Sequence, residues 1–145
     1  MKKNLGKYYQ SGEATSWTRI DMLLKLYDAS IMNSQQAIAD VEALAGTSAS
    51  GSGASPVLLK SVRLISELRN GLNFRYQEMA ERFDQLLEFV QHSLLTMDVA
   101  KMRAGVQVLE TLRSGFQEIY EEAVRLEKSG EIPPLSATAN MEVVV

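Results

Sequence analysis

Apolar residues at 20, 23, 24, 27, 31, 38 and 41 recur at the threes and fours that line one face of a helix. Thr18, with Asp21 three residues on, suits the reciprocal cap that satisfies the free N–H groups of a first turn, and Ser16 is the alternative cap. The pattern predicts a first helix near 18–44. Met22 and Leu26 flank the seam, so the first half of this helix is wider than a simple stripe. Such a segment either packs on two neighbours or offers spare apolar surface to a partner.

Residues 46–56 then change character, reading Gly-Thr-Ser-Ala-Ser-Gly-Ser-Gly-Ala-Ser-Pro, a flexible loop by composition. Ser55 and Pro56 suit the start of a second helix, whose stripe is Leu58, Val62, Ile65, Leu68 or Arg69, Leu72 and Tyr76. Because the stripe continues past Asn70-Gly71, the helix is expected to run through the glycine at some cost. Met79, Phe83, Leu86, Leu87, Val90, Leu94 and Met97 form the seam expected of a third helix. Asp98 is placed to cap a fourth, with Val99, Met102, Val106, Leu109, Leu112, Phe116, Ile119, Ala123 and Leu126 inward and Gly130 with Pro133-Pro134 as its stop. No alternating, strand-like run appears. The pattern predicts an all-α, antiparallel up-and-down four-helix bundle over 18–130, with a flexible loop at 45–56. An extended N-terminal segment, 1–17, precedes it and a mobile tail, 131–145, follows.

Composition narrows the function classes. A chain of 145 residues reads as one domain, and at this length it can bury roughly 70% of its unfolded surface in a core of its own. The net charge is -3, and no basic face of the kind that binds nucleic acid stands out. Lys2, Lys3 and Lys7 form a small basic cluster read as a solvated end. Without cysteine there is no disulfide scaffold and no thiolate metal site, which suits a reducing cytosol. No apolar stretch follows the N-terminal lysines as a signal peptide requires, and none approaches a membrane span, so membrane insertion is not expected.

Catalytic chemistry is not found. His92 is the sole histidine and lies one step off the third seam. Phe89 occupies the position where a Glu-x-x-His iron-binding pair needs its glutamate, and no glycine-rich stretch ends in the Gly-Lys-Ser/Thr of a phosphate loop. Glu118, Glu121 and Glu122 read as a solvated face, with Arg125 four residues after Glu121. Met79, Met97 and Met102 read as core fillers, although methionine also suits adaptable binding surfaces. No enzyme, metal or cofactor is expected.

Three short motifs, in order, carry a resemblance. Leu26-Tyr27-Asp28-Ala29-Ser30 on the first helix resembles the Leu-Tyr-Asp-Gly-Ala signature of the FliS family of flagellin chaperones. Ile65-Ser66-Glu67-Leu68 followed by Leu72-Asn73 resembles that family's second-helix pattern, and Leu112-Arg113-Ser114-Gly115-Phe116 its Leu-Arg-x-x-Trp. Phe116 replaces the usual tryptophan, Arg75-Tyr76-Gln77 replaces a Gly-Gly, Trp17 stands where proline is common, and the 46–55 stretch is longer than usual. The resemblance implies a cytosolic export chaperone that binds the disordered C-terminal segment of flagellin and prevents its premature polymerisation. The flagellar export apparatus is a further candidate partner, and the protein is expected as a monomer or weak homodimer. The partner-binding residues carried over are Tyr8, Tyr9, Leu23, Leu26, Tyr27, Asp28, Leu72, Asn73 and Phe116. The alternative is a self-associating structural or regulatory bundle without a client.

Overall fold

The computed structural model describes residues 17–45, 55–72 and 77–131. Among them the fold is all-α: α1 (Arg19–Ala45), α2 (Pro56–Asn70), α3 (Gln77–Leu95), α4 (Val99–Glu118) and a short α5 (Tyr120–Lys128). α1 and α3 each pack on both α2 and α4, closing a ring of four helices. Ion pairs Glu42–Arg103 and Asp28–Arg113, with the Tyr120–Asp21 hydrogen bond, match falling positions on α1 to rising ones on α4 and α5. That register is antiparallel, as an up-and-down bundle requires.

The caps read from the sequence form. The Thr18 N–H donates to Asp21 Oδ2 at 2.9 Å and the Asp21 N–H donates back to Thr18 Oγ1 at 3.3 Å. Ser55 Oγ accepts from the Leu58 N–H at 3.1 Å, and Asp98 Oδ1 from the Lys101 N–H at 3.3 Å. Each satisfies a donor that a first turn leaves free. Ser16 and the 46–54 loop lie outside the described residues.

Three boundaries and one seam differ from the sequence expectation. α2 stops at Asn70 instead of running through Gly71, whose N–H donates to Glu67 O at 3.0 Å and closes the last turn. Leu72 is still buried, so the apolar stripe had marked packing beyond the helix end. The fourth helix is two helices. Ile119 (φ -96°, ψ 8°) interrupts it, is 53% exposed, and stands between α4 and α5. Met97 stands beyond α3 in the turn to α4, with a left-handed φ of 55°, a conformation that side chains take up infrequently. Within α3 the inward residues are Ala80, Leu87, Val90, Gln91 and Leu94, while Met79 and Leu86 are 57% and 41% exposed.

The reason for that last correction is a polar seam. Arg69 on α2 is ion-paired with Asp84 at 2.7 Å and donates to Gln91 Oε1 at 2.8 Å. The Gln91 amide donates in turn to Val62 O and Ser66 Oγ at 2.9 and 2.8 Å. Gln91 is therefore an inward residue, and α3 is rotated to present it to α2. Across α1 and α2 the contact is small and buried. Ser34 Oγ meets Ser61 Oγ at 2.5 Å, and Ser61 Oγ donates to Ser30 O at 3.2 Å. The remaining interior is largely aliphatic, centred on Leu58, Ile65, Leu87, Leu94, Met102 and Leu109, with Tyr27 as its one fully buried aromatic among the described residues. No helix among the described residues is long and apolar enough to cross a membrane.

Candidate functional site

The first-helix and fourth-helix motifs meet in space. Tyr27 on α1 is 2% exposed, and its ring centroid lies 5.6 Å from that of Phe116 on α4. Phe116 in turn lies 5.7 Å from Phe83 on α3, so one aromatic row links three helices. Tilted rings at these separations attract beyond their burial. Next to Tyr27, Asp28 is ion-paired with Arg113, three residues before Phe116, and Arg113 Nη2 also donates to Asp28 Oδ2 at 3.4 Å. Asp28, exposed on α1, therefore has an arginine of α4 as its partner. Arg113 belongs to the fourth-helix motif but was not singled out. Its sequence signal was its place as the arginine of that motif, three residues before Phe116. Burial pushes the Tyr27 phenol well above its ordinary range, so the hydroxyl stays protonated.

The other expected contact residues divide by depth. Leu23 and Leu72 are buried, Leu26 and Phe116 are half-buried, and Asp28 is exposed. Tyr8, Tyr9 and Asn73 lie outside the described residues.

A second feature, not foreseen from the sequence, lies between α3 and α4. Gly105 packs against Ser93 and Val90, where an added Cβ would stand 3.2 Å from Ser93 Cβ, and Phe83 meets Phe116 further along. This antiparallel register sets Leu86 of α3 level with Leu112 of α4, and Met79 level with Ile119 at the break beyond it. Met79, Leu86, Phe89 and Ile119 are 57%, 41%, 48% and 53% exposed, half of the eight large apolar side chains that face solvent among the described residues. The other four, Met32, Leu44, Leu59 and Leu95, are dispersed over α1, α2 and the end of α3. Three of these four lie on α3. The signal was available: α3 needs only Ala80, Leu87, Val90 and Leu94 for its core, so Met79, Leu86 and Phe89 are a second apolar face.

α5 is held at the N-terminus of α1 by polar contacts. Tyr120 Oη donates to Asp21 Oδ1 at 2.6 Å, and the Arg19 N–H donates to Glu127 Oε1 at 2.9 Å. The Arg19–Glu127 ion pair at 3.8 Å is nearly buried. Burial raises the Asp21 carboxyl, but the Tyr120 hydroxyl and the Thr18 N–H and hydroxyl outweigh it and hold the carboxyl below its ordinary range. Arg125 pairs with Glu122 at 2.5 Å rather than with Glu121. His92 is exposed, 3.7 Å from Glu88. Among the described residues no group of three metal-ligating side chains converges.

Comparison with known proteins gives one family match: the model described as flagellar protein FliS matches residues 1–124. No curated protein and no solved structure matches the chain.

Proposed function

The chain belongs to the FliS family, and from that membership we propose that it is a cytosolic flagellar export chaperone. Its client would be the C-terminal segment of flagellin, held in a form that cannot polymerise before export. The observation that carries this reading is the family match over residues 1–124, which spans both motifs joined at Tyr27–Phe116 and Asp28–Arg113. The geometry suits the task. A segment that is disordered alone must gain enough contact to offset its ordering, and exposed apolar side chains on a rigid bundle supply that contact.

Within this reading the expected contact residues take two roles. Leu26, Asp28 and Phe116 retain exposed surface and are proposed to touch the client. Leu23, Tyr27 and Leu72 are buried and are proposed to set the shape beneath it. No catalytic step, metal or cofactor forms part of the proposal.

The test is retention of a flagellin C-terminal peptide on the immobilised protein. The peptide is expected to be retained and a scrambled peptide of the same composition to pass through. Equal retention of both would contradict specific recognition.

A further inference from the structure

We infer that α5 is a hinged strap: it opens about Ile119 and closes on the first turn of α1 as one unit, while the ring of four helices stays folded.

The strap has little hold of its own. α5 is nine residues long, starts without a side-chain cap and buries none of its side chains fully. A helix this short is not stable alone in water, where about 12–15 residues are marginal even for good helix formers. α5 is therefore a helix only while it is docked. Ile119, with φ -96° and ψ 8°, belongs to neither helix, and the Ala123 N–H restarts the ladder by donating to Ile119 O at 2.9 Å. Little buried apolar surface beyond a break in the ladder marks a segment that opens more readily than the whole molecule unfolds.

What holds α5 is a polar tie at each end. At its start the Tyr120 hydroxyl donates to Asp21 Oδ1 at 2.6 Å. Near its end Glu127 Oε1 accepts the Arg19 N–H at 2.9 Å, and the two side chains, 8% and 9% exposed, form an ion pair. Both ties land on the first turn of α1. The other oxygen of Asp21 accepts the Thr18 N–H and hydroxyl at 2.9 and 2.8 Å, so the carboxylate that caps α1 is also the one that holds the strap. Glu127 satisfies a first-turn N–H that α1 itself leaves free, and its charge lies at the positive end of that helix. Glu127 stands beyond residues 1–124, the stretch of the family match.

This sharing makes opening all-or-none. Release at Glu127 alone would separate two nearly buried charges, a costly step. Release at Tyr120 alone would loosen the carboxylate that orders the turn beneath Glu127. Closed, the strap fixes the turn that leads into Leu23; open, it lets that turn fray.

Hydrogen exchange on the full chain tests this, with each tie cut and the effect read at the opposite end. In the unaltered chain the Arg19 and Ala123 amides should share one opening constant, at least about tenfold larger than that of the core residue Val90. Tyr120→Phe, which removes only the hydroxyl, should raise the opening constant of Arg19, whose acceptor is Glu127, by roughly fivefold or more. Glu127→Gln should raise that of Ala123, in the first turn of α5, by about tenfold or more. Either variant decides the matter if the other folds poorly. If each variant leaves the opposite end within about twofold of the unaltered chain, the two ties act separately and the strap is not a unit. If Arg19 and Ala123 in the unaltered chain open no more readily than Val90, α5 leaves only when the whole bundle unfolds, and the inference is wrong.

Discussion

Phe116 on α4 lays its ring against Tyr27 on α1 at 5.6 Å, and so joins the last of the recognised motifs to the first. Tyr27 is a core residue, deeper than a boundary aromatic with a wet hydroxyl would be. Tyr27→Ala should therefore cost about 3–5 kcal/mol, as for other large aromatic truncations. Tyr27→Phe, which keeps the ring, should cost about 1 kcal/mol or less. Chemical denaturation of the two variants checks this. A loss for Tyr27→Ala no larger than that for Tyr27→Phe would show that the ring row does not support the fold.

Leu86 and Leu87 separate the two faces of α3. Leu87 is 0% exposed and Leu86 41%. Leu87→Ala should cost roughly 2–5 kcal/mol and Leu86→Ala about 0.5 kcal/mol or less. Similar losses at both positions would mean that α3 is rotated from the orientation described here.

These two neighbours also show where the sequence was legible. The starts of α1, α2 and α4 were readable because Thr18, Ser55 and Asp98 mark them with a local chemical device, and local devices survive folding. The rotation of α3 was not readable. Hydropathy alone ranks Leu86 with Leu87, and it assigns Gln91 to the outside. Hydrogen bonds made across two helices, from Gln91 to Arg69, Val62 and Ser66, hold Gln91 inward and leave Leu86 outward. The break at Ile119 was hidden for a related reason. Its spacing continues the α4 stripe, but the polar ties from Tyr120 to Asp21 and from Glu127 to Arg19 draw α5 toward α1. Of the candidate site, the Tyr-Asp signature was legible as a motif, whereas its partners Phe116 and Arg113 became a site only through packing.

The Tyr120–Asp21 bond should make α5 docking sensitive to both ends of the pH scale. The Asp21 carboxyl is held below 3.8. Its contribution is complete above that value and is lost as pH falls through the lower folded value. The Tyr120 hydroxyl is raised above 10.0, chiefly by its bond to Asp21. Its contribution is complete below 10.0 and is lost as pH climbs through the raised value. The melting-temperature difference between the unaltered chain and Tyr120→Phe should be flat near neutrality and shrink in acid and in strong alkali. A difference that does not change with pH would remove this bond from the account.

The Asp28–Arg113 pair is expected to contribute modestly to stability, because both side chains are partly exposed. A double-mutant cycle with Asp28→Asn and Arg113→Gln should return a coupling of about 0.2–1 kcal/mol, weakened by salt. A coupling above about 2 kcal/mol would mark the pair as a principal tie between α1 and α4.

The central claim is that this chain captures the C-terminal segment of flagellin and so withholds it from polymerisation. Filament growth from seeds, followed with flagellin and increasing amounts of this protein, tests it most directly. Growth should stop once the protein matches flagellin in concentration, and flagellin lacking its C-terminal segment should form no complex with it. Growth at an unchanged rate in the presence of excess protein would contradict the claim.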